Sequence, residues 1–382
     1  MPRTTGTYVT AAVGGENVRA FIPYALPPSE PALSPVSYVE QNARAEVALT
    51  RLSGMAGLVA SSSWLIYAAI RKEALLTSQL EGTQATLTDV LDEEAGMTVT
   101  NSQDVEEVTN YLLAFNYARE QLRSPTGLPV SLRLLTESHR VLMESVRGAT
   151  KQPGAVRTTQ NWIGGTRPGN ASFVPPPAHE VGPALSALER YIHDPEHTLP
   201  PLVRVALVHA QFETIHPFLD GNGRIGRLLI AMLLEEWNLM PEPLLYVSGY
   251  LKRHQRAYYE RLSATRHGGD WEGWVSFFLE AVEAAADEAQ HSIVGLAACI
   301  AEDRKRVLAL GSSTLATLRL FELLPTMPRI NIERAARVLE VSVPTATKAI
   351  QGLQAAEILE ETTGRSRNQS FLYSRYVRLL MN

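Results

Sequence analysis

The sequence predicts a mostly α-helical fold with one small β-hairpin in its middle and a separate helix-and-hairpin module at its C-terminus. Apolar residues recur at three- and four-residue spacing along most of the chain, the mark of helices with one buried face. A single Gly-, Pro- and Asn-rich stretch, Lys151 to Pro177, interrupts that pattern. Charge then shifts: Glu302 to Asn382 holds 12 Lys/Arg and 8 Asp/Glu, a mildly basic end on a chain of net charge -5.

Taken in order, the first forty residues read as an extended, strand-poor lead-in rich in Gly and Pro. Helices are expected over Val39–Leu52 and Met55–Leu76, the second ending within Thr77–Gly82. Thr88 and Asp89 start a short helix reaching about Glu94, and Ser102 or Asp104 caps a long one through Tyr117 to Leu122. Leu132–Val146 is helical again. In the interrupted stretch, Asn161-Trp-Ile163 and Ser172-Phe-Val174 flank a glycine turn and read as a β-hairpin. Helices follow at Gly182–His193, Pro201–Ile215, Arg224–Trp237, Lys252–Arg266 and Trp271–Cys299, with a domain boundary near Leu308–Ser313. The division expected is a region 1–100, a core 101–300 and a module 310–382.

The 382 residues are 45% hydrophobic and 20% charged, enough apolar residue for a sizeable core and too little positive charge for general nucleic-acid binding. One cysteine, Cys299, excludes an internal disulfide framework and a Cys-based zinc site. It fits a reducing, cytoplasmic setting. Met1–Thr10 lacks a signal-like segment and no apolar run is long enough to span a bilayer, so no membrane partner is expected.

The chemistry concentrates in twelve residues, His216-Pro-Phe-Leu-Asp-Gly-Asn-Gly-Arg-Ile-Gly-Arg227. Gly221 and Gly223 free the backbone, so successive N–H groups can turn to one concavity, an anion site. A helix starts directly after it and adds the positive end of its dipole. Arg224 and Arg227 share a face near that helix's N-terminus, where arginine is normally unfavourable; a polyphosphate would supply the reason. Asp220, an acid at the mouth of an anion site, calls for a cation such as Mg2+ held between one carboxylate and substrate phosphates. His216, neutral near pH 7, can take a proton from an incoming hydroxyl. Any one of these residues alone reads as a turn, a cap or a surface charge.

This segment resembles the signature of the Fic family: His-Pro-Phe, any residue, Asp or Glu, Gly-Asn-Gly-Arg, two residues, Arg. The resemblance implies a Fic-type helical core and a transferase that moves AMP from ATP, its co-substrate, to a Tyr, Ser or Thr hydroxyl of a target protein, releasing pyrophosphate. It implies His216 as the general base and Asp220 as the Mg2+ ligand. Gly221, Asn222 and Gly223 would line the α- and β-phosphates, Arg224 would contact the phosphates and Arg227 would pair with the γ-phosphate. Arg157–Gly165 and Phe173–Pro177 resemble the family's flap, whose edge takes an extended target segment, with Ile163 and Gly164 beside the nucleotide. Tyr258 and Tyr259 resemble its aromatic pair at the adenine pocket, only one of them facing the base; where some relatives place Asn there, this chain has Arg266.

Thr77-Ser-Gln-Leu-Glu-Gly82 resembles the family's inhibitory motif, in which Thr77, Glu81 and Gly82 are the matched positions. Glu81 would close a helix against its dipole and pair with Arg227, blocking the γ-phosphate's place. A homodimer is one means of displacing that helix. At the C-terminus, Ile332–Glu340 and Val341–Leu353 resemble a winged helix-turn-helix, with Glu361–Ser370 as the wing. Thr345, Thr347, Lys348 and Gln351 would face outward and Arg365 and Arg367 would meet phosphates if DNA were bound. Modest charge favours packing, dimer contacts or target docking over DNA. Three rival readings stand beside the transferase: another nucleotide-containing donor, removal of AMP, and a DNA-binding regulator with an ATP-sensing core.

Overall fold

The structure is a computed structural model and describes residues 3–57, 63–144, 150–311, 314–365 and 368–381. Met1, Val146, Ser313, Arg367 and Asn382, named above, lie outside the described residues.

The chain opens on a hairpin, not on the strand-poor lead-in expected. β1 (Gly6–Val13) and β2 (Glu16–Pro23) pair antiparallel in unbroken register from Gly6↔Pro23 to Val13↔Glu16. The cause is legible in hindsight. Gly14 and Gly15 both take positive φ, 58° and 83°, the two-residue turn whose twist suits a hairpin. β-branched and aromatic residues flank it. The hairpin docks through Phe21 N–H, which donates to Val174 O at 3.0 Å.

Helices make the main body: α1 (Val39–Ala56), α2 (Ser63–Leu80), α3 (Leu87–Glu94), α4 (Ser102–Arg123), α5 (Leu132–Leu142), α6 (Ala178–His193), α7 (Pro201–Ile215) and α8 (Asn222–Glu236). Thr86 caps α3 in a capping box with Asp89. The helix expected over Lys252–Arg266 is two, α9 (Ser248–Arg253) and α10 (Gln255–Gly268), separated at His254. α11 runs from Trp271 to Ala309, ten residues beyond its expected end, because no Gly or Pro follows Cys299 until Gly311. At 39 residues it is about 58 Å long.

That length carries α11 through two cores. Its first half buries Trp274, Phe278, Val282 and Ala285 against α7 and the rest of the main body. Its second half gives Leu296, Cys299 and Val307 to a smaller core. The smaller core is closed by α12 (Leu315–Leu323), β3 (Arg329–Asn331), α13 (Ile332–Leu339), α14 (Val343–Ala355), β4 (Glu360–Glu361), β5 (Ser370–Leu372) and α15 (Ser374–Met381). The three strands are antiparallel in the order β3–β5–β4. α2 and α3 enter this core too, through Ala68, Leu87 and Leu91, and Arg329 of β3 pairs with Asp92 of α3. α2 is therefore buried nearly all round. No described helix is long and apolar enough to cross a membrane.

Trp274 is fully buried, donates from Nε1 to Ala206 O at 2.8 Å and packs on His209, Tyr258, Phe277 and Phe278. Trp274→Ala is expected to cost about 3–5 kcal/mol, read as a lowered midpoint of denaturant unfolding.

Candidate active site

The site is built where α7 hands over to α8. α7 is buried on every side and stops at His216, which takes φ 49° and donates its N–H to Phe212 O at 2.9 Å. Pro217 cannot continue the helix. The carbonyls left open at this end are collected by Arg157, a buried side chain. Its guanidinium donates to His216 O at 2.9 Å, Ile215 O at 3.4 Å and Pro176 O at 2.6 Å. A cation at a helix C-terminus is favoured, and this one also ties the flap segment to the loop.

The loop is braced from three directions. Asn222 folds back, accepting from Phe218 N at 2.8 Å and donating to Phe218 O at 2.8 Å. Asn161 donates to the same carbonyl at 2.9 Å. His139 stacks on Phe218 with ring centroids 3.8 Å apart. Its Nδ1 accepts from Gly154 N at 2.9 Å, so Nε2 carries the proton and donates to Asp220 O at 3.0 Å. The Asn222 side chain is thus spent on the loop. Gly221, φ 75°, caps α8.

Arg224 and Arg227, expected to share a face, reach different partners. Arg224 lies 3.7 Å from Glu107 of α4 and 3.9 Å from Asp220, and its buried Nε and Nη1 have no hydrogen-bond partner. Arg227 turns to α2. It donates from Nε to Thr77 Oγ1 at 2.6 Å and from Nη2 to Thr77 O at 3.2 Å and Glu81 Oε1 at 2.6 Å. Gly82, φ 100°, lets the chain leave α2 directly after Glu81. Gly223 leaves room for Glu81: a Cβ there would lie 2.3 Å from Glu81 Oε1 and push the carboxylate from its place. Asp220 is half exposed at the loop mouth.

A cavity of about 360 Å³ opens beside this pair, lined by Glu81, Gly223 and Arg227 on one side, by Glu213 and His216 of α7, and by Tyr258, Tyr259, Leu262, Ser263 and Arg266 of α10. Ile163, Ser172 and Phe173 of the flap segment close it. That segment is less regular than the hairpin expected. Ile163↔Phe173 is a single bridge. Gly164 and Gly165 at positive φ and the Pro175–Pro177 run, which lacks N–H donors, keep the pairing from growing into a ladder. Gly164 makes the turn and is not part of the cavity wall; Ile163 is.

Both tyrosines line the cavity, in different ways. His209 Nδ1 faces Gly226 O at 3.0 Å and must carry the proton; its Nε2 therefore accepts from Tyr258 OH at 2.9 Å. The Tyr258 hydroxyl is occupied and only its ring is presented. Tyr259 is 47% exposed. Arg266 lies over the Phe173 ring at 4.1 Å and donates to Thr214 Oγ1 and Glu213 O, both at 3.1 Å. The roles of Arg157, His139 and Glu213 escaped sequence reasoning; only Glu213, three residues before His216 on one helix face, left a periodic signal.

Three histidines here are held neutral. Burial lowers His216 to about 3, helped by the Arg266 and Arg157 charges. Burial also lowers His209 to about 3 and His139 to about 4. Depressed folded values mean that the unfolded chain binds more protons below the ordinary histidine value of about 6.5. Their contribution is thus complete above that pH and is lost as pH falls towards about 4 and 3. Side-chain nitrogen NMR should show all three as neutral imidazole at pH values down to about 5, each still unprotonated where a free histidine has titrated.

Residues 39–120 match the family described as Fic/DOC family N-terminal, and residues 129–234 match the Fic/DOC family. The chain is 26% identical over 212 residues to a protein named protein adenylyltransferase Fic of Drosophila grimshawi, 54% of this chain and 40% of that protein. It is 26% identical over 213 residues to the protein of that name in Drosophila melanogaster, 54% of this chain and 39% of that one. The chain thus spans about two fifths of the length of these curated relatives. Among solved structures, a Fic family protein from Desulfovibrio desulfuricans G20 superposes with a TM-score of 0.60 at 21% identity, covering 89% of this chain and 96% of that one. Fic-1 of C. elegans superposes at 0.53 with 21% identity, covering 67% and 72%. The motif His216–Arg227 falls inside the segment that matches the Fic/DOC family, and Glu81 inside the segment that matches that family's N-terminal model.

Proposed function

We propose that the chain is a protein adenylyltransferase, moving AMP from ATP to a Tyr, Ser or Thr hydroxyl of a target protein, and that Glu81 restrains it. The observation that carries this reading is the Arg227–Glu81 ion pair, 2.6 Å long, set in the same cavity as a neutral His216.

In the transfer, the target hydroxyl oxygen attacks the α-phosphorus, an O–P bond forms, and the bond to the bridging oxygen breaks to release pyrophosphate. His216 takes the hydroxyl proton. Its low value in the free protein suits a base kept unprotonated; the negative charge of a bound triphosphate would raise it towards neutrality and improve it as an acceptor. The N–H groups of the first α8 turn are donors suited to an anion, and Arg224, paired with Glu107 through Nη1, adds positive charge beside them. Asp220 fits Mg2+: one half-exposed carboxylate, completed by substrate phosphates, is a donor set this ion accepts. Bound there, Mg2+ would neutralise charge on the departing pyrophosphate. Positioning and electrostatics would supply the rest of the rate.

Restraint follows from geometry. A γ-phosphate that takes the Glu81 place on Arg227 must displace that carboxylate, which holds Nη2 at 2.6 Å while Thr77 holds Nε. A target segment would add to the outer edge of the flap, through the backbone groups of the residues flanking Ile163, whose own N–H and C=O are taken by Phe173 and Ser172. Residues 314–381 are read as a winged helix used for packing. α14 carries one basic residue, Lys348, beside exposed Thr345 and Gln351 and half-buried Thr347, a poor phosphate-binding face. Meanwhile Arg334 donates to Glu94 O at 2.5 Å and joins the module to α3.

Label transfer from α-labelled ATP, with self-modification as readout, tests the reading on wild type, Glu81→Gly and Glu81→Gly/His216→Ala. The first variant should exceed wild type by at least roughly tenfold, and the second should transfer at least roughly a hundredfold more slowly than the first. Equal transfer by wild type and Glu81→Gly would remove the restraint; transfer that survives loss of His216 would remove the base.

A further inference from the structure

Arg266 is a cation in the cavity wall that the chemistry above leaves unused. It stands in the last turn of α10, the helix that also presents Tyr258 and Tyr259. Its place is fixed from behind. Thr5, just before β1, donates from Oγ1 to Thr265 O at 3.0 Å and to Arg266 O at 3.3 Å, taking up carbonyls that the end of α10 leaves open.

From that anchored backbone the side chain reaches two separate parts of the site. Nε donates to Thr214 Oγ1 and Nη2 donates to Glu213 O, both at 3.1 Å, on the last turn of α7 just before His216. The same guanidinium lies over the Phe173 ring at 4.1 Å. Phe173 is the flap residue that exchanges backbone bonds with Ile163, and its ring also meets Phe21 of β2, with centroids 6.1 Å apart. A rigid planar group with donors along its edge and a stacking face is suited to hold a helix end and a ring at one spacing; an ammonium is not.

The charge of Arg266 stays available to the cavity, because its hydrogen bonds go to a hydroxyl and a carbonyl and not to a carboxylate. Sharing that space with His216 are Glu81 of α2, Glu213 of α7, Arg227 of α8 and the two tyrosines of α10, with Arg157 at the start of the flap. Burial is the main reason that His216 stays neutral. Among the charges Arg266 comes first and Arg157 second, both opposing the imidazolium.

We propose that Arg266 is a positioning residue for the transfer, holding His216 and Phe173 at one spacing so that the base faces the hydroxyl of a segment lying along the flap. The inference rests on the transferase reading, in which His216 takes the hydroxyl proton. A base set out of line costs rate and leaves the nucleotide's own contacts in place.

The test is the rate of self-modification from α-labelled ATP with Mg2+, measured on the full chain in the Glu81→Gly background while ATP and pH are varied. Adding Arg266→Met should lower the saturated rate at least roughly tenfold and keep half-saturating ATP within roughly threefold. It should also move the acidic limb of the pH–rate profile to higher pH, since a charge opposing the imidazolium is gone and the base is protonated sooner as pH falls. Adding Arg266→Lys keeps the charge and loses the fork, so the saturated rate should fall at least roughly tenfold with the acidic limb unmoved. A general weakening of the fold would not separate the two variants in this way. An unchanged rate in Arg266→Met, a fall with its acidic limb unmoved, or full rescue by lysine would each overturn the inference. If Arg266→Met does not fold, the lysine variant decides alone: a lowered rate at unchanged half-saturating ATP upholds the inference and a parent-like rate overturns it. Absence of transfer by the folded Glu81→Gly parent, or transfer that survives His216→Ala in it, would instead overturn the transferase reading or its base, and is seen before any Arg266 variant is made.

Discussion

A guanidinium that is 1% exposed must have an anion, and the site is organised around that demand. Arg227 meets it with Glu81, aided by the Thr77 hydroxyl and carbonyl. The pair also explains two glycines. Gly223 leaves space for the carboxylate, and Gly82 lets the chain turn away once the carboxylate is placed. Removing Glu81 without replacement would strand a buried charge. Whatever takes its place must bring negative charge of its own, which is why a phosphate is a fitting competitor and a neutral ligand is not.

The helix that presents Glu81 is held over most of its length. Glu73 of α2 accepts from the backbone N–H and hydroxyl of Ser248, Ala68 belongs to the smaller core, and Leu65 and Ile70 to the larger one. Arg329 and Arg334 tie the C-terminal module to the neighbouring α3. A rigid shift of α2 would disturb both cores at once. Exchange of Glu81 for another anion is cheaper if confined to the last turn, where Glu81 is partly exposed and the chain leaves through Gly82.

How much of this was legible in the sequence depended on distance along the chain. The loop from His216 to Arg227 is one local unit, so its glycines, its acid and its arginines declare their chemistry in twelve consecutive residues. Thr77 and Glu81 lie about 150 residues away, and only resemblance to a family motif joined them to Arg227. The opening hairpin was missed although Gly14-Gly15 between β-branched runs is a local signal; the prolines that follow in residues 23–35 masked it. The flap was over-read in the other direction, because alternating residues suggest a ladder while the prolines beside them remove its donors. Arg157 was legible only as the start of the flap and His139 not at all. One is a cap for a helix that ends 58 residues later and the other a brace for a loop 81 residues away, and neither has a pattern in its own segment.

The cavity's charges bear on the proposed restraint and on the proposed nucleotide site together. Arg227 stands between two acidic side chains: Glu81 bonds it, and Glu213 feels it only through the field. Burial and the charge of Glu81 hold the Glu213 proton on; Arg227 and Arg266 oppose them. If a γ-phosphate takes the place of Glu81, one anion replaces another beside the same guanidinium. The triphosphate brings more negative charge than Glu81 takes away, so it pushes Glu213 further up, in the same direction as Glu81 does. A restraint made of the same kind of charge as the substrate can therefore be lifted without rebuilding the pocket it guards.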